Sequence, residues 1–240
     1  MLSYLRLMAI NLQHYRQLIQ ECKEKQATLV AVSKIKPPAD IQALYDAGQR
    51  DFGENYVQEL VEKQAQLPGD INWHFIGHLQ SNKVKLLVPF VHLVHGVDSL
   101  KLLKEISKQA IKINRRVNCL LQVFIARETT KFGMDEMDLK AVVEAVQADP
   151  EAFKGVRIRG MMGMASNTSD QDQVRQEFRQ LVEWSKKYLP VISSVTDRQE
   201  KKEQPLLSFG MSGDYQIALE EGSNMIRVGS LLFGARNYAR

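Results

Sequence analysis

The chain has 240 residues, 44% of them hydrophobic and 25% charged, ordinary proportions for a globular protein with a full core. Its 32 Lys and Arg against 28 Asp and Glu leave a net charge of +4. The basic residues are scattered, which argues against a nucleic-acid partner. The most apolar stretch, Leu86 to Val94, is too short to span a bilayer. The N-terminus lacks the basic and long apolar regions of a signal peptide. Two cysteines without a CxxC pair, Cys22 and Cys119, suit a reducing compartment. The expectation is a cytoplasmic single-domain protein over residues 1–240.

Within residues 1–26, Leu5, Met8, Leu12, Tyr15 and Ile19 read as a helix ahead of the first strand. Eight candidate strands follow, several of them nearly continuous in apolar residues: 28–33, 50–53, 73–77, 91–96, 117–125, 156–164, 205–210 and 224–229. Amphipathic stripes separate them, such as Leu100, Leu103, Ile106 and Ala110, or Val174, Phe178 and Leu181. Glycines end several helices just before the next strand, at Gly48, Gly69, Gly155 and Gly222. The repeated helix-glycine-strand unit predicts an α/β fold, a single (β/α)8 TIM barrel of parallel strands. An open doubly wound sheet is the alternative, but no GxGxxG follows the first strand. Residues 191–204, polar and charged in their second half, read as a flexible surface loop.

Barrels of this kind carry their chemistry where strands end and helices begin. The first strand ends in AVSKIKPP, where Lys34 at the barrel mouth is a candidate amine for attack on an aldehyde. Lys36 would serve equally well by position. The second ends in FGENYVQE, where Asn55 is either a site residue or the cap of the next helix. The third, WHFIGHLQSNK, contains His74, which alone reads as a hydrogen-bonded core histidine. The five histidines form no HxxxH or His/Cys cluster, which argues against a metal site.

After strand six, RGMMGM offers Met164 as packing or as a surface for a flat ring. After strand seven come Met211, Ser212 and Gly213, and after strand eight Gly229 and Ser230. Two such turns in the last two loops predict phosphate binding at helix N-termini. Period-two alternation sets Arg227 opposite Ile226 and Val228, pointing into the barrel, where its charge needs an acceptor. An aromatic ring nitrogen and the Glu54 carboxylate are equal candidates.

The segments AVSK, DFGENYVQE, WHFIGHLQSNK, ETTKFGM, RGMMGM, FGMSGDYQIAL and IRVGSLLFGAR, in this order from residue 31 to 236, resemble the YggS/PROSC-type pyridoxal-phosphate homeostasis proteins of the alanine racemase-like N-terminal-domain family. The resemblance implies a fold-type III barrel that holds pyridoxal 5'-phosphate (PLP) as a Schiff base on Lys34. It implies phosphate contacts from Ser212, Gly229 and Ser230, with Met211 lining the site. Arg227 would lie by the ring nitrogen, Asn55 near the ring hydroxyl, and His74 among the cofactor-binding residues. The stretch 191–204 is longer than the family's usual link to strand seven.

Racemases that resemble this barrel add a β-rich domain carrying a second base, and no β-rich segment follows the eighth strand here. The expectation is therefore a PLP carrier or regulator in vitamin B6 and amino-acid homeostasis, a monomer without strong catalytic activity. The alternative is a small PLP-dependent racemase or lyase, with Tyr56, His78 or Tyr215 as the base. A phosphosugar barrel with a Schiff-base lysine and no PLP is a third reading.

Overall fold

The apolar runs become eight parallel strands paired in chain order, and the last returns to the first to close a barrel. The strands are β1 (Thr28–Val32), β2 (Asp51–Glu54), β3 (Asn72–Phe75), β4 (Leu93–Val97), β5 (Val117–Gln122), β6 (Val156–Met162), β7 (Leu206–Ser208) and β8 (Met225–Val228). The computed structural model describes residues 10–127, 132–196 and 203–234. The expected closed barrel is therefore present, each strand within a few residues of its sequence-predicted place.

Helices cover the outside: α1 (Leu12–Glu24), α2 (Pro38–Asp46), α3 (Val57–Gln64), α4 (Val84–Leu87), α5 (Leu100–Lys112), α6 (Glu136–Ala148), α7 (Gln171–Thr196), α8 (Tyr215–Glu220) and α9 (Ser230–Phe233). The main core lies between barrel and helices. Ala31, Ile226 and Val228 pack there with Leu103, Ile106 and Phe178. Inside the barrel sits a smaller apolar cluster of Val30, Leu93, Leu120, Met162 and Met225. Gly48 and Gly222, just beyond α2 and α8, adopt φ of +105° and +97°, the left-handed turn that glycine takes without a Cβ penalty.

Two boundaries differ from expectation. The N-terminal helix is described from Leu12 to Glu24, and residues 1–9 lie outside the described residues. The expected loop at 191–204 is helical through Thr196, because α7 continues past Pro190. Tyr188, Leu189, Ile192 and Thr196 recur at helical spacing and are all buried. That packing carries the helix through a proline that costs it one backbone hydrogen bond. Residues 197–202 of that stretch lie outside the described residues.

Candidate functional site

A cavity of about 310 Å³ opens at the C-terminal mouth of the barrel, within the size range of small-molecule sites. Lys34 reaches it from the turn that follows β1. Ile35, next in that turn, has φ of +60°, a conformation that costs a β-branched residue on the order of 1–3 kcal/mol. The surrounding hydrogen bonds hold it there. Ile35 N–H donates to Glu59 Oε1 at 2.6 Å and Lys36 N–H to Ser33 O at 3.0 Å. Lys36 Nζ donates to Phe233 O at 2.7 Å. Lys36 is thus tied to α9, although it also borders the cavity.

Behind the turn lies a buried charge cluster. Lys63 Nζ donates to Ser33 O at 2.8 Å, Glu54 Oε1 at 2.7 Å and Glu59 Oε1 at 2.6 Å. The Ser33 hydroxyl also donates to Glu54 Oε1, at 2.6 Å. Burial pushes the Glu54 carboxyl up to about 7, against the opposite pull of the Lys63 ammonium and the Ser33 hydroxyl. The second oxygen of Glu54 is buried without a hydrogen-bond partner. The cluster ties β1, β2 and α3 together immediately behind Lys34.

Arg227 points inward, as period-two alternation requires, while Ile226 and Val228 enter the outer core. Among protein groups its acceptor is not Glu54. Its guanidinium donates to Ser208 O and Ser208 Oγ, both at 2.7 Å, and to Gly163 O at 3.1 Å. Complete burial lowers its pKa to about 10, with Asp214 opposing, so the group stays charged at neutral pH. A column of polar groups continues below it. Ser208 Oγ lies 3.0 Å from His95 Nδ1, His95 Nε2 lies 2.8 Å from His74 Nδ1, and His74 Nε2 lies 3.0 Å from Asp51 Oδ1. Burial, together with the charges of His74, Arg227 and His92, lowers the His95 pKa well below its ordinary value and holds that ring neutral.

The loops after β7 and β8 bring Met211, Ser212, Gly213, Gly229 and Ser230 to the same cavity. The helices they enter, α8 and α9, have only six and four residues, so the macrodipole expected at these turns is small. Hydroxyls and local backbone N–H groups are the donors on offer. Asn55 does not cap α3: Tyr56 occupies that position without a side-chain cap bond. Instead Asn55 lines the cavity, and its Oδ1 is buried without a partner. Gly77 allows this placement, since a Cβ there would lie 2.2 Å from Asn55 O.

Seven sequence-predicted residues therefore share one cavity: Lys34, Asn55, Met211, Ser212, Arg227, Gly229 and Ser230. Met164 joins them. His74 does not. It lies lower in the barrel, on a second cavity at the N-terminal ends of the strands. Of the bases considered, His78 pairs with Asp98 at 2.9 Å and stacks on Phe132. Tyr215 is buried and hydrogen-bonded to Glu21 of α1, and Tyr56 is 55% exposed. None of the three borders the Lys34 cavity. Sequence reasoning missed Lys63, Glu59, Ser208 and His95. The Glu59 and Lys63 spacing of four was the one visible signal.

Residues 7–237 match the family described as alanine racemase, N-terminal domain. The chain belongs to that family. It is 38% identical over 216 residues to the "Pyridoxal phosphate homeostasis protein" of Aquifex aeolicus, covering 90% of both chains. The relative of that name in Escherichia coli is 36% identical, with 90% of this chain and 88% of the relative covered. Among solved structures, PipY of Synechococcus elongatus with PLP bound aligns at a TM-score of 0.77 and 34% identity, covering 92% of this chain and 100% of PipY. The alanine racemase of Bartonella henselae shares the fold at a TM-score of 0.65 and 16% identity; 96% of this chain covers 62% of the racemase.

Proposed function

We propose that this chain holds PLP in the C-terminal cavity, with Lys34 joined to it as a Schiff base, and serves PLP and amino-acid homeostasis as a cytoplasmic carrier without strong catalytic activity. The observation that carries the reading is the convergence of an amine, hydroxyl-bearing loops, a buried guanidinium and an unpartnered amide oxygen on one cavity. A PLP-bound relative, PipY, supports it. PLP supplies an electrophilic aldehyde and an electron-withdrawing ring. Lys34 is the cavity amine that would hold the aldehyde carbon covalently, with loss of one water on bonding. Ser212 and Ser230 receive the phosphate with the backbone of Gly213 and Gly229. Asn55 faces the ring edge, and Met164 offers it an apolar surface.

Arg227 gives the reading its carrier character. A guanidinium does not surrender its proton at physiological pH, so a ring nitrogen held against it would stay unprotonated and the ring would be a weaker electron sink. In the same reading the chain acts as a monomer, with PLP and amino acids as its small partners, which sedimentation and ligand titration measure.

Borohydride reduction of PLP-treated protein followed by peptide mass mapping tests the assignment. The pyridoxyl group is expected on Lys34, with loss of the visible absorbance of the C=N bond in Lys34→Ala. A label chiefly on Lys36 or Lys131 refutes the lysine assignment, and no yellow complex after PLP addition refutes PLP binding itself.

A further inference from the structure

At the N-terminal end of the barrel, a cavity of about 220 Å³ is bordered by Asp51, His74 and His92. Their ligand atoms lie within 4.8 Å of one another. The three residues come from or adjoin β2, β3 and β4, so no spacing in the sequence marks them as a group. We propose that this cavity is a binding site for a divalent transition metal of the Zn²⁺ or Co²⁺ class, held by Asp51, His74 and His92.

Two imidazoles and one carboxylate are the donor set such ions take with a fourth position open. In a tetrahedral site with ligands at roughly 2.0–2.1 Å, neighbouring donors stand about 3.3 Å apart. Asp51 Oδ1 and His74 Nε2 are 3.0 Å apart, close to that spacing. His92 completes the set by moving an exposed ring, while its backbone is fixed. His92 N–H donates to Trp73 O at 2.9 Å, and Asn118 Nδ2 donates to His92 O at 3.3 Å. Outer support is present as well. Asn72 Nδ2 donates to Asp51 Oδ1 at 3.2 Å, and His95 lies against the far nitrogen of His74. The guanidinium of Arg159, which shares the cavity, is ion-paired with Glu203.

The polar column gives the site a reporter. Arg227 only donates and Asp51 only accepts, and in the proposed metal-free state the hydrogens between them run in one direction. Ser208 donates to His95 Nδ1, His95 Nε2–H to His74 Nδ1, and His74 Nε2–H to Asp51. A metal on His74 Nε2 takes the lone pair that the proton occupied. The hydrogen then sits on His74 Nδ1 and donates to His95 Nε2, and the His95 hydrogen moves to Nδ1, facing Ser208 Oγ. These shifts move hydrogens within the column without adding or removing one. Metal binding thus reverses the column that ends on Arg227.

Titration of the full-length, cofactor-free protein with Co²⁺, then displacement by Zn²⁺, tests the proposal. Expected are one equivalent bound with visible cobalt bands and at least a tenfold loss of affinity in His92→Gln and in Asp51→Asn. His14→Gln and His78→Gln should leave affinity unchanged. Long-range ¹⁵N–¹H spectra should show His74 and His95 switching from the Nε2–H to the Nδ1–H form at saturation. The exposed His92→Gln variant guards against misfolding, with circular dichroism and PLP binding as checks. Since PLP enters only as that check, a failed PLP reading leaves the metal result intact. Absence of stoichiometric binding, affinity that survives both ligand variants, or rings that keep their tautomers in the presence of metal would each overturn the site.

Discussion

Replacing Lys63 by Met removes the ammonium that joins Ser33 O, Glu54 and Glu59. Lys63 and Glu54 side chains are 5% and 0% exposed, so water does not replace the lost partner. Breaking a buried pair on one side costs roughly 3–5 kcal/mol, because the remaining charge is left without compensation. The cost should depend on pH. The Glu54 pKa stands raised from 4.5 to about 7, so its favourable contribution is fully present below 4.5 and is lost as pH rises through about 7. That loss is about 3 kcal/mol in the native protein. Without Lys63 the carboxyl rises further, and each further unit removes about 1.4 kcal/mol more at high pH. Urea unfolding of Lys63→Met at pH 5.5 and pH 8.5 should therefore show the larger defect at pH 8.5. Adding Glu54→Gln, which removes the buried charge, should recover most of it. The variant should also form the Lys34 adduct more slowly, since Ser33 and Ile35 lose their anchor. An equal defect at both pH values, or no recovery in the double variant, refutes the account.

Ser212→Ala combined with Ser230→Ala should weaken PLP roughly 10²–10⁴-fold, from two charge-assisted hydrogen bonds at roughly 1.5–3 kcal/mol each. Pyridoxal, which lacks the phosphate, should lose little, and equal losses in spectral titrations would argue against the two loops. Gly77→Ala forces a Cβ to 2.2 Å from Asn55 O and should cost roughly 1–3 kcal/mol in chemical denaturation, with weaker PLP binding as Asn55 shifts. Chiral chromatography of alanine, serine and a wider amino-acid panel should show little racemization above the Lys34→Ala control. Multiple turnovers with any amino acid would make this chain an enzyme.

The barrel was legible because several of its strands are nearly continuous apolar runs bounded by helical stripes, a pattern that both-faces burial imposes. The inward direction of Arg227 followed from Ile226 and Val228 alone, since strand alternation does not depend on tertiary detail. Its acceptors did not follow. Ser208 and Gly163 belong to other strands, and only closure of the barrel brings them under the guanidinium. His74 was misplaced for a related reason. Its motif runs up to the C-terminal mouth, but the histidine stands below that end and turns toward Asp51 and His95. Lys63 reads as the solvent-exposed partner of Glu59, and nothing local in α3 says that this lysine is buried. The extension of α7 was hidden by the polar character of the stretch beyond it, although Leu189, Ile192 and Thr196 already carried the helical period.

Lys34 and Arg227 of the C-terminal cavity are supported from opposite sides. The Lys34 turn is held from outside the barrel, through Glu59 and Lys63 of α3. Arg227 is held from inside, by Ser208 and Gly163. Among these hydrogen bonds, no residue serves both assemblies. The amine sits in a strained turn whose conformation the Glu59 and Lys63 contacts fix, which favours one presentation of its nitrogen over many. The guanidinium keeps a constant charge, so the opposite wall does not switch between donor and acceptor as a carboxylate would on protonation. A cavity with one positioned amine and one fixed cation captures an aldehyde-bearing anion readily. In the proposed reading the rest of its lining offers little help to the later proton transfers of amino-acid chemistry, which need groups that change their protonation state during the reaction. Under the PLP reading, that asymmetry favours retention and release of the cofactor over turnover on it.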